Sequence, residues 1–443
     1  MIRRRNLIYL GVRESGNWYL SISDEARRQV QLPSHRHLRV RTHPHADPII
    51  LPVVSNPRHA TTERDVLIPV GVQKNKQGIL LGPIIGILTV RRIGTNTFRG
   101  NRDNFRDICE MGRRLGLTVV VFTPEGVNGS HRIVGYLDKK YSSGKRVWKR
   151  VTLPFPSVVY NRIPDREAEA KPAIESLKKQ FAELGIPMFN HNFFNKLQLH
   201  EWMQKSPSTK GYLPKTEPLT DTRQILRWME QHDLLYVKPV DGKAGDGILQ
   251  VRREGKGWLL VAQQYGNRTR MRFATRGETA QAVWKRVKGR PYLLQQGIEL
   301  ASFNGRLFDL RMLVQKNRYG RWKVTGIGAR VADVDGITTH VPNGGEIASA
   351  SPALRGAFGT TRGASILKRA QEAALLLAQT LERSVRSEGG LLGELSLDVG
   401  VDREGNLWFF EANAKPMKFD EPRIRARSLM RLLQYCEYLA STQ

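Results

Sequence analysis

The spacing of apolar and polar positions divides the chain into three stretches. Up to about residue 80, short apolar runs at 7–10, 18–22, 49–51 and 66–68 are broken by Gly, Pro and Asn. That pattern predicts a β-rich region over 1–80. From residue 82 the pattern becomes strand–helix alternation. Residues 83–90 form one apolar run, a buried strand. Phe105, Ile108, Met111 and Leu115 recur at helical spacing and predict a helix over 104–115. Strands follow at 117–122 and 157–162, and a helix at 166–184. Residues 142–151 (SSGKRVWKRV) read as a basic hairpin. Such alternation predicts an α/β unit over 81–189.

The third stretch, 190–443, mixes both periods. Helices are predicted at 195–204, at 221–232 with Thr220 as its cap, at 364–385 and at 422–440. Strands are predicted at 391–401 and 407–411, joined by the turn Asp402–Arg403–Glu404–Gly405–Asn406. No internal repeat or low-complexity tract interrupts the chain.

Composition narrows the class. The chain has 443 residues, 40% hydrophobic and 25% charged, which suits a folded protein of several domains. No apolar run reaches the ~20 residues that a membrane-spanning helix needs. The longest, 79–90, contains Gly82, Pro83 and Gly86. The N-terminus is basic, but its apolar stretch is too short for a secretory signal. Cys109 and Cys436 are the only cysteines, which excludes a disulfide framework and a Cys-based zinc site. A reducing cytoplasm is the expected compartment. His35, His37, His43 and His45 cluster in a Pro- and Arg-rich loop without a carboxylate or Cys pattern, so a metal role is not expected of them.

The net charge of +30 admits two readings. One is a polyanionic partner: nucleic acid, an anionic surface or a phosphate-rich ligand. The other is a basic protein with no such partner. Helix-turn-helix, RNA-binding and zinc-finger signatures are absent, so no specific nucleic acid is expected. Residues 251–325 alone hold 17 Lys and Arg against 4 Asp and Glu.

Three motifs carry chemistry. In YVKPVDGKAGDGI (236–248), an apolar strand ends at Lys238, and a loop with Gly242, Gly245 and Gly247 leads to a second strand. Glycines let backbone N–H groups close around phosphate oxygens, and a Lys adds a point charge. The same pattern also fits a hairpin with an exposed Lys. In DVGVDREGNLWFFEANAKP (398–416), Asp398, Glu411 and Asn413 interrupt apolar strands. Glu411 and Asn413 share a strand face, and Asp398 lies across the hairpin, an oxygen set suited to Mg²⁺. Hydrogen-bonded burial is the alternative. In FDLRMLV (308–314), Asp309 and Arg311 share a face; Arg330 ends the next predicted strand, 322–331, and Val341–Gly345 (VPNGG) follow, a pattern in which both arginines fit either a ligand's phosphate or ordinary surface charge.

Together with GPIIGILT (82–89), VVYNRIPDRE (158–167), MFNHNFFNKLQLHEW (188–202) and LPKT (213–216), these motifs resemble the ATP-grasp superfamily. Within it the chain is similar to the endospore coat-associated YheC/YheD proteins of spore-forming bacteria. The likeness runs from about residue 82 to the C-terminus and weakly through the N-terminal region. It implies an α+β fold in which two lobes clasp ATP, spanning 190–443. A small α/β pre-ATP-grasp domain (81–189) and the N-terminal β-rich region (1–80) precede it.

The resemblance also implies roles. Lys196 and Lys238 match ATP-binding lysines, and Gly242, Lys243, Gly245 and Gly247 the mobile phosphate loop. Gln296, Gly297 and Ile298 match the adenine hinge, and Asp398, Glu411 and Asn413 the ligands of Mg²⁺, with two ions expected. Asp309 and Arg311 resemble the D-x-R strand of glutathionylspermidine- and RimK-like ligases, and Arg330 their later phosphate- or substrate-facing Arg. Ser396 departs from the D-alanine–D-alanine ligases, which carry a catalytic Arg there, so Arg311 or Arg330 is expected to supply that charge. Two functions follow as expectations. One is a carboxylate–amine ligase of amino acids or peptides, acting through an acylphosphate. The other is a non-catalytic ATP-binding component associated with spore-coat proteins.

Overall fold

The computed structural model describes residues 8–55, 65–75, 78–129, 131–141, 143–242, 245–264, 266–334, 336–339 and 343–442. Lys243, Val341 and Pro342 lie outside them.

The described residues of the stretch 8–81 form a seven-stranded sheet and, among them, one short helix, Asp24–Gln29. Its buried Leu10, Leu20, Val40 and Ile68 join Leu88, Val120, Phe122 and Phe181 in one apolar cluster. The β-rich region therefore packs directly on the α/β sheet that follows it.

That sheet has six strands in the order Arg146–Pro154, Arg132–Lys140, Thr118–Asn128, Ile84–Leu88, Val158–Asn161, Met188–Phe189. The last four are mutually parallel. Alternation along them separates two faces. Ile85, Ile87, Val121 and Tyr160 pack with Phe105 and Ile108 of helix Arg102–Leu115. Ile84, Val120, Phe122 and Val159 pack with Ile174 and Phe181 of helix Pro172–Glu183. From Ile84–Leu88 the chain crosses to one neighbour and returns at Val158–Asn161 on the other side. The carboxyl ends of these two strands thus flank the point where strand order reverses.

Several predicted boundaries change for local reasons. The helix expected over 166–184 is two, Arg166–Glu169 and Pro172–Glu183, because Pro172 lacks the N–H that a continuous helix needs and instead begins the second. The basic hairpin is longer than 142–151, pairing Arg132–Lys140 with Arg146–Pro154. Asp221, not Thr220, caps helix Thr222–Gln231: its carboxylate accepts from the Gln224 N–H, while the Thr220 hydroxyl bonds the Gln224 side chain. Helix Ala350–Phe358, unforeseen, precedes Thr360–Ser387, with Gly359 at φ +77° between them.

Two further sheets make the rest. The smaller is antiparallel, in the order Thr216–Pro218, Tyr292–Gln296, Leu234–Pro239, Leu249–Glu254, Gly257–Gln264, Asn267–Phe273. One face, with Leu235, Val237, Val251 and Leu294, is covered by helices Thr222–Gln231 and Arg276–Val287. The larger runs Glu346–Ser349, Trp322–Val331, Arg306–Lys316, Glu394–Val401, Leu407–Asn413. Its Phe308, Leu310, Ala329, Leu397 and Phe409 pack under Thr360–Ser387. The uncovered faces of both sheets line a common cleft.

The α/β sheet is fastened to the larger sheet at Asn190. This buried residue holds φ +58°. Its amide donates to the Ala414 carbonyl at 2.6 Å and accepts from the N–H groups of Gly393 (2.9 Å) and Glu394 (3.3 Å). Among the described residues no helix is long and apolar enough to cross a membrane.

Candidate functional site

The period-two rule sorts the larger sheet's polar residues. Phe308, Leu310 and Met312 face the core, so Asp309 and Arg311 between them face the cleft side. Leu397 and Val399 face the core, so Ser396 and Asp398 oppose them. Register then makes cross-strand pairs: Asp309 with Arg330, Arg311 with Asp398, Asp398 with Glu411, Ser396 with Asn413.

The pairing to Leu407–Asn413 slips by one residue beside Asp398. Phe409 and Ala412 are both buried in the core, so Phe410 and Glu411 both turn to the cleft. Without this bulge the alternation from Phe409 would send Glu411 into the core.

Arg330 is the hub of the cluster. Its Nε donates to Asp309 Oδ1 at 2.9 Å, and its Nη2 lies 3.0 Å from Asp398 Oδ2. The Thr339 hydroxyl adds a bond to Asp309 Oδ2 at 2.7 Å. Arg330 is 5% exposed and Asp398 2%. Burial works against the Arg330 charge, but the two carboxylates overcome it and raise its pKa.

Across the cleft, Lys238 projects with Tyr236 from the smaller sheet. Its ammonium donates to Gln295 Oε1 at 2.6 Å. It also sits 5.3 Å from the Tyr236 ring centre and 5.4 Å from that of Phe410. Burial, and then Lys196 nearby, pull its pKa down to about 8, against the pull of Glu411, Asp309 and Asp398.

Lys196 opens helix Lys196–Lys205, capped by Asn195, and donates to the Gly242 carbonyl at 2.6 Å. Gly242 and Gly245 line the cleft. Gly247, at φ +74°, lies just behind, its N–H bonded to Gln263. Lys243 is outside the described residues. Gln296 and Ile298 also line the cleft. Gly297 donates its N–H to the Leu234 carbonyl at 2.8 Å, and a Cβ there would meet Leu234 Cγ at 2.1 Å.

Arg311 and Asn413 share the cleft-side face but sit farther along it than the residues lining the cavity. Ser396 is fully buried, and its hydroxyl finds no hydrogen-bond partner among the described residues.

Among the described residues no group of three His, Cys, Asp or Glu side chains is set to hold a metal. Asp398, Glu411 and Asn413 offer two carboxylates and an amide. That set fits Mg²⁺, which binds one or two carboxylates, keeps waters and takes its remaining oxygens from phosphates. Among the described residues Glu411 makes no hydrogen bond or ion pair, which leaves its oxygens available.

Sequence reasoning missed Gln295, Tyr236, Phe410 and Thr339, which hold the charged groups in place. Tyr236 and Gln295 were readable as the cleft-facing alternates of their strands. Phe410 was not, because it reaches the cleft through the bulge. The basic excess of 251–325 divides between the cleft and an outer edge. Arg252 reaches the cleft, but Arg268, Arg270 and Arg272 line an outer edge strand, and Arg268 and Arg272 pair with Asp333 and Glu254.

The YheC/D-like ATP-grasp family model matches residues 185–439. Endospore coat-associated protein YheD of Bacillus subtilis is 29% identical over 376 residues, covering 81% of this chain and 79% of that protein. YheC of the same organism is 21% identical, covering 77% and 93%. Among solved structures, D-alanyl-alanine synthetase A from Vibrio cholerae aligns with a TM-score of 0.46 at 12% identity, covering 82% of this chain and 98% of that one. With more than half its length matched by the family model, this chain belongs to the YheC/D-like ATP-grasp family and has the ATP-grasp fold.

Proposed function

We propose that the cleft binds ATP with Mg²⁺ and that the protein ligates a carboxylate to an amine, releasing ADP. The observation that carries this reading is the pairing of opposite charges across one cavity. Lys238, from the smaller sheet, and Lys196, from a helix packed on the larger one, face into it, as do Asp398 and Glu411 from the larger sheet. Phosphates need the first set, and phosphate-bound Mg²⁺ needs the second.

In this reading Gln296, Gly297 and Ile298 border the adenine. Lys196, Lys238 and the glycine loop hold the phosphates. Asp398, Glu411 and Asn413 would hold the Mg²⁺, which when bound draws off charge from the phosphate oxygens. A substrate carboxylate oxygen attacks the γ-phosphorus and ADP leaves. An amine nitrogen then attacks the acyl carbon, phosphate leaves, and the nitrogen gives up a proton. The protein's contribution is position and charge. Arg311, with 20% of its side chain exposed, is the more accessible of the two arginines, and we assign it to the transferred phosphoryl group. Arg330 is locked between Asp309 and Asp398 and acts as a brace. Residues 81–189 close the acceptor end of the cleft, and 190–443 hold the nucleotide.

The test is ADP release by the purified chain. Release that requires an amino-acid or peptide acceptor supports ligation. ATP binding without turnover across an acceptor panel favours the second reading, an ATP-binding component of the spore coat. Two observations support that alternative: both curated relatives carry coat-association in their names, and Asp398 is already engaged by two arginines.

A further inference from the structure

Arg162 follows strand Val158–Asn161 directly, at the reversal of strand order in the α/β sheet. Crevices outside such carboxyl ends are where open α/β sheets bind ligands. The Arg162 side chain is only 9% exposed. Its Nη1 is buried without a hydrogen-bond partner among the described residues, and the nearest carboxylate, Glu394, is 3.9 Å away. Glu394 is itself occupied, accepting from the Tyr160 hydroxyl and, at 2.9 Å, from the Gln315 amide. Tyr160, whose ring centre lies 5.5 Å from the Arg162 guanidinium, and Glu394 line a small neighbouring cavity with Asn104 and Arg425.

Two lysines stand close by. Lys415, two residues beyond Asn413, and Lys178 share the buried carboxylate Glu169. Lys178 also reaches Glu175, which is largely exposed. A buried guanidinium whose Nη1 lacks a hydrogen bond among the described residues can serve as a receptor for an anion.

We infer that Arg162 binds a second carboxylate of the substrate, so that the substrate is a peptide-sized molecule with two acidic ends. The inference rests on the ligase reading for which end reacts. Asp398 and Glu394 share a strand face four residues apart. At ~3.3 Å per residue they stand roughly 13 Å apart. With the phosphoryl group at one end, the two carboxylates of the substrate lie on the order of 10 Å apart, the reach of an extended dipeptide or tripeptide.

The experiment is calorimetric titration of the full chain, holding Mg²⁺ and a non-hydrolysable ATP analogue, with suberate and with suberic acid monoamide. Suberate should bind about tenfold or more tightly than the monoamide. Arg162→Ala should remove that preference, Arg162→Lys should keep part of it, and both variants should bind the ATP analogue as the parent does. A preference that survives in Arg162→Ala overturns the inference, as does failure of the parent chain to bind suberate. Loss of analogue binding by the parent chain strikes the nucleotide reading instead, and suberate is then titrated alone.

Discussion

Arg311 and Asp398 are direct cross-strand partners, and one guanidinium nitrogen, Nη1, spans both carboxylate oxygens at 2.9 and 3.2 Å. Arg330 reaches the same carboxylate at 3.0 Å. Any cation at Asp398 therefore competes with two fixed positive charges. Arg311→Ala should lower the Mg²⁺ concentration needed for half-maximal ATP binding. It should also cut acceptor-dependent ADP release by about a hundredfold, the scale of losing one transition-state donor. A Mg²⁺ requirement that stays put would remove Asp398 from the ligand set.

Arg330 should matter to folding before it matters to chemistry. Replacing it with Met leaves two buried carboxylates short of a partner, a cost of about 3–5 kcal/mol. Denaturant titration should show that loss. Adding Asp309→Asn should return part of it, because one of the stranded charges is then gone. Equal stability of the single and double variants would argue against a shared charge network.

Glu411→Ala should abolish Mg²⁺-dependent ATP binding while leaving the nucleotide-free melting temperature unchanged. The second half follows from the absence of hydrogen bonds to Glu411 among the described residues. Titration calorimetry with and without Mg²⁺ reads the first half. Unaltered nucleotide affinity would end the assignment.

Lys238 predicts a proton signature. Its pKa is about 8 in the folded chain against an ordinary 10.5. Between those values the folded state has released a proton that the unfolded state keeps, so this group's contribution to stability rises with pH across that window. Nucleotide affinity should move the other way and weaken above about pH 8, because the phosphates need the ammonium. At pH 8 to 9, ATP binding should take up a proton, visible as a binding enthalpy that changes with the buffer's ionisation enthalpy. Lys238→Gln should abolish that dependence.

Gly297→Ala sets a steric test of the hinge. The added methyl would stand 2.1 Å from Leu234 Cγ and 2.7 Å from the Leu234 carbonyl oxygen. Strand Tyr292–Gln296 must then pull away from Leu234–Pro239. ATP affinity should fall by about tenfold or more, as overpacking costs typically reach 1–3 kcal/mol. An unchanged affinity would show that these residues do not border the base.

Much of this was legible because it depends on short-range periodicity. The spacing of Asp309 and Arg311, and of Glu411 and Asn413, was enough to assign each pair to one face. The lysine strand and its glycine loop were readable for the same reason. What escaped were features that depend on register between distant strands. Nothing in the local sequence says that Arg330 stands opposite Asp309, or that Gln295 receives the Lys238 ammonium. The bulge beside Asp398 is likewise a property of two strands together. Charge was the least legible feature. The run of basic residues after the glycine loop alternates along its strand, and strand order, which no local signal reveals, puts that strand at the sheet's outer edge.

Asn190 has a mechanical consequence. Its three amide bonds clamp the α/β sheet to the strands that carry Asp398 and Glu411. Such a clamp should hold these parts together as one jaw, so that admission of nucleotide would fall to the smaller sheet, which joins them through the crossings at 206–215 and 297–301. The polar contacts that tie that sheet to its surroundings include Lys196 on Gly242, the Tyr236 hydroxyl on the Ile337 carbonyl at 3.1 Å, Arg268 on Asp333 and on the Val334 carbonyl, and Arg166 on Asp241. Each is worth about 1 kcal/mol or little more. The gate to this cleft is thus lightly sprung, and Tyr236→Phe is a way to loosen it without touching a charge.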